Sequence, residues 1–380
     1  MKRREFLRGM AVANGLSSIG LWNTSAKGDF AANTLTAPLP LSWDIEHARQ
    51  TTPIADSKLI AMPHPGPRCD TRTAMTSGGD IYVGGGGSLW KSVDRGATWS
   101  IRTLPHGTGG GFGILHDDVF ILVFDDPDNA NSFVLRSTDY GKTWNRSQAL
   151  DIRPFDFSGG GWSQVYQHPD GTVMITLTLR HRKQNGFFHD HIFRSTDGGV
   201  TWRDRTLLIP YSAESSLLAL RDSNRLLAYI RAQRTALPDD PPDFWKQTGA
   251  TEGHPWPLKN GVVAESSDGG RTWKNLRLFD TYGSVPGEVI QTPDGRIAAV
   301  WLQRYPYVDS EIRVRISTDG GHTWEKCTYS LFKAHGYPSS VVCADGTIVT
   351  VCENTKMDAS GTPRGKRSMA AVRWHLPPAT

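Results

Sequence analysis

Ser266-Ser267-Asp268-Gly269-Gly270-Arg271-Thr272-Trp273 is one of five copies of a single phrase, S-x-D-x-G-x-T-W. The others begin at Ser92 (SVDRGATW), Ser137 (STDYGKTW), Ser195 (STDGGVTW) and Ser317 (STDGGHTW). A Ser and an Asp two residues apart can turn their side-chain oxygens back onto nearby backbone N–H groups. The shared Gly supplies the positive φ that so tight a turn needs. Thr and Trp then open a strand, with the indole covering apolar surface between layers. Each copy therefore predicts a β-turn that locks a hairpin, and the recurrence predicts a repeated β architecture.

Working outward, every interval carries a second turn signal flanked by apolar residues. These are Thr76-Ser77-Gly78-Gly79-Asp80, Leu115-His116-Asp117-Asp118, His168-Pro169-Asp170-Gly171, Arg221-Asp222-Ser223-Asn224, Thr292-Pro293-Asp294-Gly295 and Ala344-Asp345-Gly346-Thr347. The pattern predicts six inner hairpins against five outer boxes. The sixth unit ends in Ser368–Trp374, a third strand, and needs a fourth from elsewhere. Lys58-Leu59-Ile60-Ala61-Met62 is the natural donor, since borrowing it would close a ring and remove an exposed edge. The fold class expected is all-β, a six-bladed β-propeller.

The boxes resemble the Asp-box (BNR) repeats of the sialidase (neuraminidase)-like propellers. The resemblance covers residues 57–374 and implies boxes on outer turns, far from any site. The phrase itself is read as turn-forming, not catalytic.

Composition narrows the function. The chain has 380 residues, 39 Gly and 13 Trp, a formal net charge of +4 and a pI near 8.8. Its basic residues are dispersed, so nucleic acid is not expected as a partner. Cys69, Cys327, Cys343 and Cys352 show neither C-x-x-C nor zinc spacing, and no disulfide is inferred. His189-Asp190-His191 sets two imidazoles on one strand face, but no third ligand accompanies them, and a hydrogen-bonded pair is the favoured reading over a metal site. The Gly109–Gly113 and Gly159–Gly161 runs precede no helix, so they are not phosphate loops, and no cofactor is expected.

The start, Met1-Lys2-Arg3-Arg4-Glu5-Phe6-Leu7 followed by the weakly apolar run 9–22 and small residues near Ala26, resembles a twin-arginine export signal. Residues 1–26 are assigned to that signal, 27–50 to a linker and 51–380 to the propeller. The expected location is periplasmic or secreted, with the Tat machinery as partner and no membrane association once the signal is removed. The longest interval between boxes, Ser195 to Ser266, holds a Pro-rich insertion with Trp245 and Trp256. Packing of this insertion onto the propeller is favoured over sugar stacking.

In a propeller, ligands bind where the innermost strands and their loops converge. Those positions offer Arg72 with Asp70, Asp125, Arg180 with His181, Glu214 with Arg231, Glu288 with Arg304, and His335, Tyr337 and Glu353. Sialidase-like enzymes place three arginines on a substrate carboxylate, for which a guanidinium fork is suited. The resemblance implies Arg72, Arg231 and Arg304 for that clamp, with Arg313 and Arg315 as rivals to Arg304. Arg180 and His335 are further candidates for substrate binding. It also implies a Tyr nucleophile activated by a Glu, and an Asp acid. Gly84–Gly87 occupies the acid's place, and Cys352 stands where Tyr is expected ahead of Glu353. Asp70 and Asp125 become the candidate acids. Tyr337 with Glu214 or Glu353 becomes the candidate nucleophilic pair, with Cys352 as a packing residue. The expected function is an exported glycosidase acting on an acidic glycan. The alternatives are a non-catalytic glycan- or protein-binding propeller, and a lyase in which His181 or His335 works with Tyr337.

Overall fold

The computed structural model describes residues 51–64, 70–104, 111–126, 131–155, 157–159, 162–180, 187–221 and 223–378, with the side chains of 125, 126, 131 and 157–159 excepted. The assigned signal and linker lie outside the described residues, as do Cys69 and His181.

Six antiparallel sheets follow one another along the chain. Blade 1 runs Thr71–Met75, Ile81–Gly85, Ser88–Ser92 and Ser100–Thr103; blade 2 runs Gly111–Ile114, Phe120–Asp126, Asn131–Ser137 and Asn145–Arg146. Blade 3 has a split inner strand, Phe157–Gly159 and Val165–Gln167, both paired with Val173–Arg180, and continues through His189–Ser195 and Arg203–Leu207. Blade 4 is Ser212–Ala219, Leu226–Arg234, Leu258–Ser266 and Lys274–Leu278, and blade 5 is Ser284–Gln291, Ile297–Gln303, Glu311–Ser317 and Tyr329–Phe332. Blade 6 takes Ser339–Val342, Ile348–Glu353 and Met369–Trp374 from the C-terminal side. Its outer strand is Lys58–Met62, in register from Lys58 opposite Arg373 to Met62 opposite Met369. The N-terminal closure expected from the sequence is therefore present. Two additions were not expected: Thr52–Pro53 lies parallel on the outer strand of blade 5, and a small hairpin, Lys356–Met357 with Pro363–Arg364, rises from blade 6.

Alternating strand residues face opposite neighbours, and both faces are buried. In blade 4, Leu226, Ala228 and Ile230 pack toward Ile192 of blade 3, whereas Leu227 and Tyr229 pack toward Ile297 and Trp301 of blade 5. Each adjacent pair of blades shares one apolar cluster, including blades 6 and 1, where Val349 and Val351 meet Ile81 and Val83. The ring is thereby closed by packing, and by Thr73, whose N–H donates to Ser339 Oγ at 2.9 Å. Box tryptophans lie in these interfaces, as with Trp202 and Trp273, and not on the axis.

All five boxes sit between the third and fourth strands of their blades. In the copy that begins at Ser266, Ser266 Oγ accepts from Gly270 N at 2.9 Å, while Asp268 accepts from the N–H and hydroxyl of Thr272 at 2.9 and 2.6 Å. Gly270 has φ 76° and Gly269 φ 68°, so two successive residues are left-handed; Arg95 and Tyr140 adopt the same conformation at the equivalent of Gly269. Arginines of the preceding blade then donate to carbonyls of the turn: Arg136 to Gly198, Arg194 to Gly269 and Gly270, and Arg277 to Gly321, at 2.8–3.0 Å.

Candidate active site

The site is built on an irregularity in the inner strand of blade 4. Pairing with Leu226–Arg234 slips between Ala213 and Ser216, and Glu214 within that bulge has φ 53°. A left-handed non-glycine costs on the order of 1 kcal/mol or more and persists only where its surroundings enforce it. The enforcing group is Asp190 on blade 3, which is 1 % exposed. Its Oδ2 accepts from Ser215 N at 2.9 Å and from the Ser215 hydroxyl, and its Oδ1 accepts from Thr178 Oγ1. Thr178 Oγ1 in turn accepts from Glu214 N at 3.2 Å. The effect is to aim the Glu214 side chain into the funnel.

Tyr337 meets it there. Gly336 allows this, because a Cβ at that position would lie 2.1 Å from the Glu353 carbonyl oxygen. The Tyr337 hydroxyl donates to Glu214 Oε1 at 3.1 Å, and Glu214 Oε2 is paired with Arg231. Arg231 also holds Gln233 Oε1 through Nε at 3.0 Å. Burial works against the Arg231 charge, but Glu214 and Tyr337 hold its guanidinium above the ordinary arginine value. Arg304 stands with Cζ 5.9 Å from the centre of the Tyr337 ring. It is 8 % exposed, and its Nη2 is buried without a hydrogen-bond partner among the described residues.

Arg72 lies deeper. Its guanidinium stacks 3.4 Å from the ring centre of Trp162, and Nη2 donates to the carbonyls of Trp162 and Ser215 at 2.9 and 3.2 Å. Nη1 is 3.8 Å from Glu288 Oε2, and Nε is buried with no hydrogen-bond partner among the described residues. Burial draws Arg72 down to about 10, opposed by Glu288, Glu214 and Asp190. Burial likewise pushes Glu288 up to about 7, opposed chiefly by Arg72. Trp162 packs edge-on to Tyr337 with centres 5.6 Å apart, so Arg72, Trp162, Tyr337, Glu214, Arg231 and Arg304 form one continuous assembly drawn from blades 1, 3, 4, 5 and 6.

The remaining candidates fall elsewhere or further out. Asp70 is half-buried directly ahead of Thr71–Met75, and Asp125 is the last residue but one in the second strand of blade 2, its side chain not among those described. Arg180 lies over Phe188, at the end of the second strand of blade 3. His335 Nδ1 is 2.9 Å from Ser310 Oγ, and its ring leans on Tyr307 at the rim. Arg313 and Arg315 are on the third strand of blade 5. Arg313 is tied to Glu311, and Arg315 to Asp280 and the Phe279 carbonyl, so neither rivals Arg304. Glu353 pairs with Arg367 and Thr355, which leaves Glu214 as the carboxylate that Tyr337 addresses. Cys352 is fully buried among apolar residues, and burial pushes its thiol well up.

His191 is buried and drawn down to about 3 by desolvation, with Nδ1 3.2 Å from the His189 carbonyl. No cluster of metal-ligating side chains occurs among the described residues. The insertion holds a short helix, Phe244–Thr248, and is pinned by Arg234–Asp240 and by the Tyr282 hydroxyl, which donates to Trp256 O at 2.9 Å. It packs on the propeller with Trp245 and Trp256 half-buried. Sequence reading missed Trp162 and the positioning contacts of Asp190. The only signal for Asp190 was an acidic residue between two histidines on a strand that otherwise reads as buried.

Comparison with known proteins agrees with this architecture. A xyloglucanase of Paenibacillus sp. is 25 % identical over 280 residues, 57 % of this chain and 26 % of that protein. Xyloglucanase Xgh74A of Acetivibrio thermocellus is 29 % identical over 143 residues, 31 % of this chain and 16 % of that one. The chain thus spans about a quarter or less of these relatives. Among solved structures, a protein of unknown function from Dyadobacter fermentans superposes with a TM-score of 0.59 at 17 % identity, over 85 % of this chain and 99 % of that one. Trypanosoma rangeli sialidase, in complex with 2,3-difluorosialic acid as a covalent intermediate, gives 0.54 at 12 % identity, over 85 % and 59 %. These likenesses establish a sialidase-like propeller fold. The model of the BNR repeat-like domain matches residues 118–350, more than half of the sequence, and the chain belongs to that family.

Proposed function

We propose that this protein is an exported glycosidase that cleaves a carboxylate-bearing glycan in the propeller funnel. The observation that carries the reading is the Tyr337 hydroxyl donating to Glu214, beside two arginines. Arg231 and Arg304 present guanidinium groups to a substrate carboxylate, and the unpartnered Nη2 of Arg304 is a donor already desolvated for it. Arg72 completes the positive floor. Glu214 takes the phenolic proton as Tyr337 Oη bonds to the anomeric carbon, and the glycosidic C–O bond breaks with its electron pair leaving on oxygen. That oxygen takes a proton from an acid, for which Asp70 at the mouth of blade 1 is the candidate. Water then gives a proton to the Asp70 carboxylate as its oxygen bonds to the anomeric carbon, the bond from that carbon to Tyr337 Oη breaks, and Glu214 returns its proton to the phenolate. A neutral phenol approaches the substrate carboxylate without the repulsion that a carboxylate nucleophile would meet.

The test is a screen of the purified protein on sialosides, uronic-acid polysaccharides, xyloglucan and neutral aryl glycosides, with products identified by mass. Turnover is expected on a carboxylate-bearing class. Glu214→Gln and Tyr337→Phe should each lose on the order of a hundred-fold or more, while Cys352→Ala keeps most turnover. Turnover confined to neutral glucans would refute the clamp, and no turnover by a folded protein would replace catalysis with glycan binding.

A further inference from the structure

A carboxylate held in an arginine ion pair is a poor base, because the neighbouring cation favours its ionised form. Glu214 is in that position against Arg231, with Arg72 on the same side of the funnel. For Glu214 to accept a phenolic proton, something must offset the arginines. Asp190 is placed to do so. It is completely enclosed between blades 3 and 4, and its two oxygens receive three donors, the N–H and hydroxyl of Ser215 and the hydroxyl of Thr178. Thr178 Oγ1 is already accepting from Glu214 N, so its own proton is free to point at Asp190. Burial, joined by the neighbouring Glu214, pushes the Asp190 carboxyl up, and the Ser215 and Thr178 donors oppose this by favouring its ionised form. The bulge that carries Glu214 is thus wrapped around a buried carboxyl group.

We propose that Asp190 is a positioning residue that fixes Glu214 in its left-handed bulge and raises the basicity of Glu214 against Arg231, so that Tyr337 can be deprotonated. The proposal rests on the glycosidase reading for what Glu214 does, but not for how it titrates. The charged and titratable groups around Asp190 are Glu214 on blade 4, Arg72 on blade 1, and His189 and His191 on its own strand. Those around Glu214 are Arg231, Tyr337, Arg72 and Asp190. Arg72 belongs to the same device, since it donates to the Ser215 carbonyl while Asp190 holds the Ser215 N–H. Residue 215 is gripped from both sides, and Glu214 turns with it.

Asp190→Asn separates charge from shape. The amide oxygen can still accept from Ser215, and the Thr178 hydroxyl can rotate to receive the amide N–H. Protein labelled with carbon-13 at the glutamate carboxyl is titrated by NMR, the Glu214 resonance being assigned by its loss in Glu214→Gln. In Asp190→Asn the Glu214 midpoint is expected to fall by about one pH unit, as loss of a neighbouring like charge requires. If a substrate is turned over, kcat should fall with KM little changed, and the acid limb of the pH profile should move down by the same amount. A Glu214 titration unchanged in folded Asp190→Asn overturns the proposal, because a merely structural aspartate would leave it in place. The NMR shift without turnover on any glycan would uphold the positioning and reject the glycosidase reading.

Discussion

Glu288 offers a measurement of the funnel floor that needs no substrate. It is 4 % exposed, and its carboxyl is raised from the ordinary 4.5 to about 7, chiefly by burial. Between those values the unfolded chain has released the proton and the folded chain retains it. Stability attributable to this group is therefore fully present below pH 4.5 and is lost as pH rises to 7, by about 1.4 kcal/mol per unit and about 3 kcal/mol in all. Urea unfolding of the wild type and of Glu288→Gln at half-unit intervals from pH 4.5 to 8.5 isolates that term, since other titrations cancel in the difference. The wild type should lose stability relative to the variant up to about pH 7 and then run parallel to it. The same protonation governs Arg72: below pH 7 its charge faces a neutral acid and is available to an anionic ligand. Above pH 7, Glu288 competes for it. Acidic-ligand affinity should accordingly weaken through pH 7 in the wild type and not in the variant. A flat difference curve, or one in which the wild type gains stability with pH, would mean that Glu288 is an ionised partner of Arg72, and would refute the reasoning.

Arg304→Ala should weaken binding of a carboxylate-bearing ligand by roughly ten- to a hundred-fold, and Arg304→Lys should rescue it poorly, by titration calorimetry. Deletion of residues 51–62 should expose the edge of Met369–Trp374 and produce aggregates in light scattering; a soluble, cooperatively unfolding truncation would count against the closure. Replacing Arg3 and Arg4 together by Lys should leave the protein in the cytoplasm on fractionation, and unchanged periplasmic recovery would mean that the pair is not an export signal.

The fold was legible because it is written in turns. Ser, Asp and Gly at fixed offsets have local reasons for their places, and the alternating apolar runs between them settle which strands pair. The closing strand Lys58–Met62 could be found because a sixth unit without a fourth strand leaves an edge to be covered. The site was legible only in part. Tyr337, Glu214, Arg231 and Arg304 stand at strand ends, where a propeller delivers side chains to its axis. Trp162 was not foreseen because it comes from a break in the inner strand of blade 3, and no periodicity marks a break. Asp190 was not foreseen because its importance lies across a blade interface, in a bulge more than twenty residues away. The choice of Glu214 over Glu353 was beyond sequence reading, since both carboxylates lie near arginines and only the three-dimensional path decides between them.

The outer strand of blade 6 also sets a schedule. Lys58 and its partner Arg373 are more than three hundred residues apart, so the pairing joins the second described strand to the last. Blades 1 to 5 can form their sheets from local hairpins as the chain leaves the ribosome, but the final seam must wait for Met369–Trp374. Until then Lys58–Met62 has no strand to pair with, and Ile348–Glu353 keeps one edge open. Such a long-separation contact is the costliest to form and the latest to be rewarded. A nascent chain stalled or cleaved before Met369 would hold five finished blades and a sixth reduced to its inner hairpin, with two strand edges open to pairing with other chains.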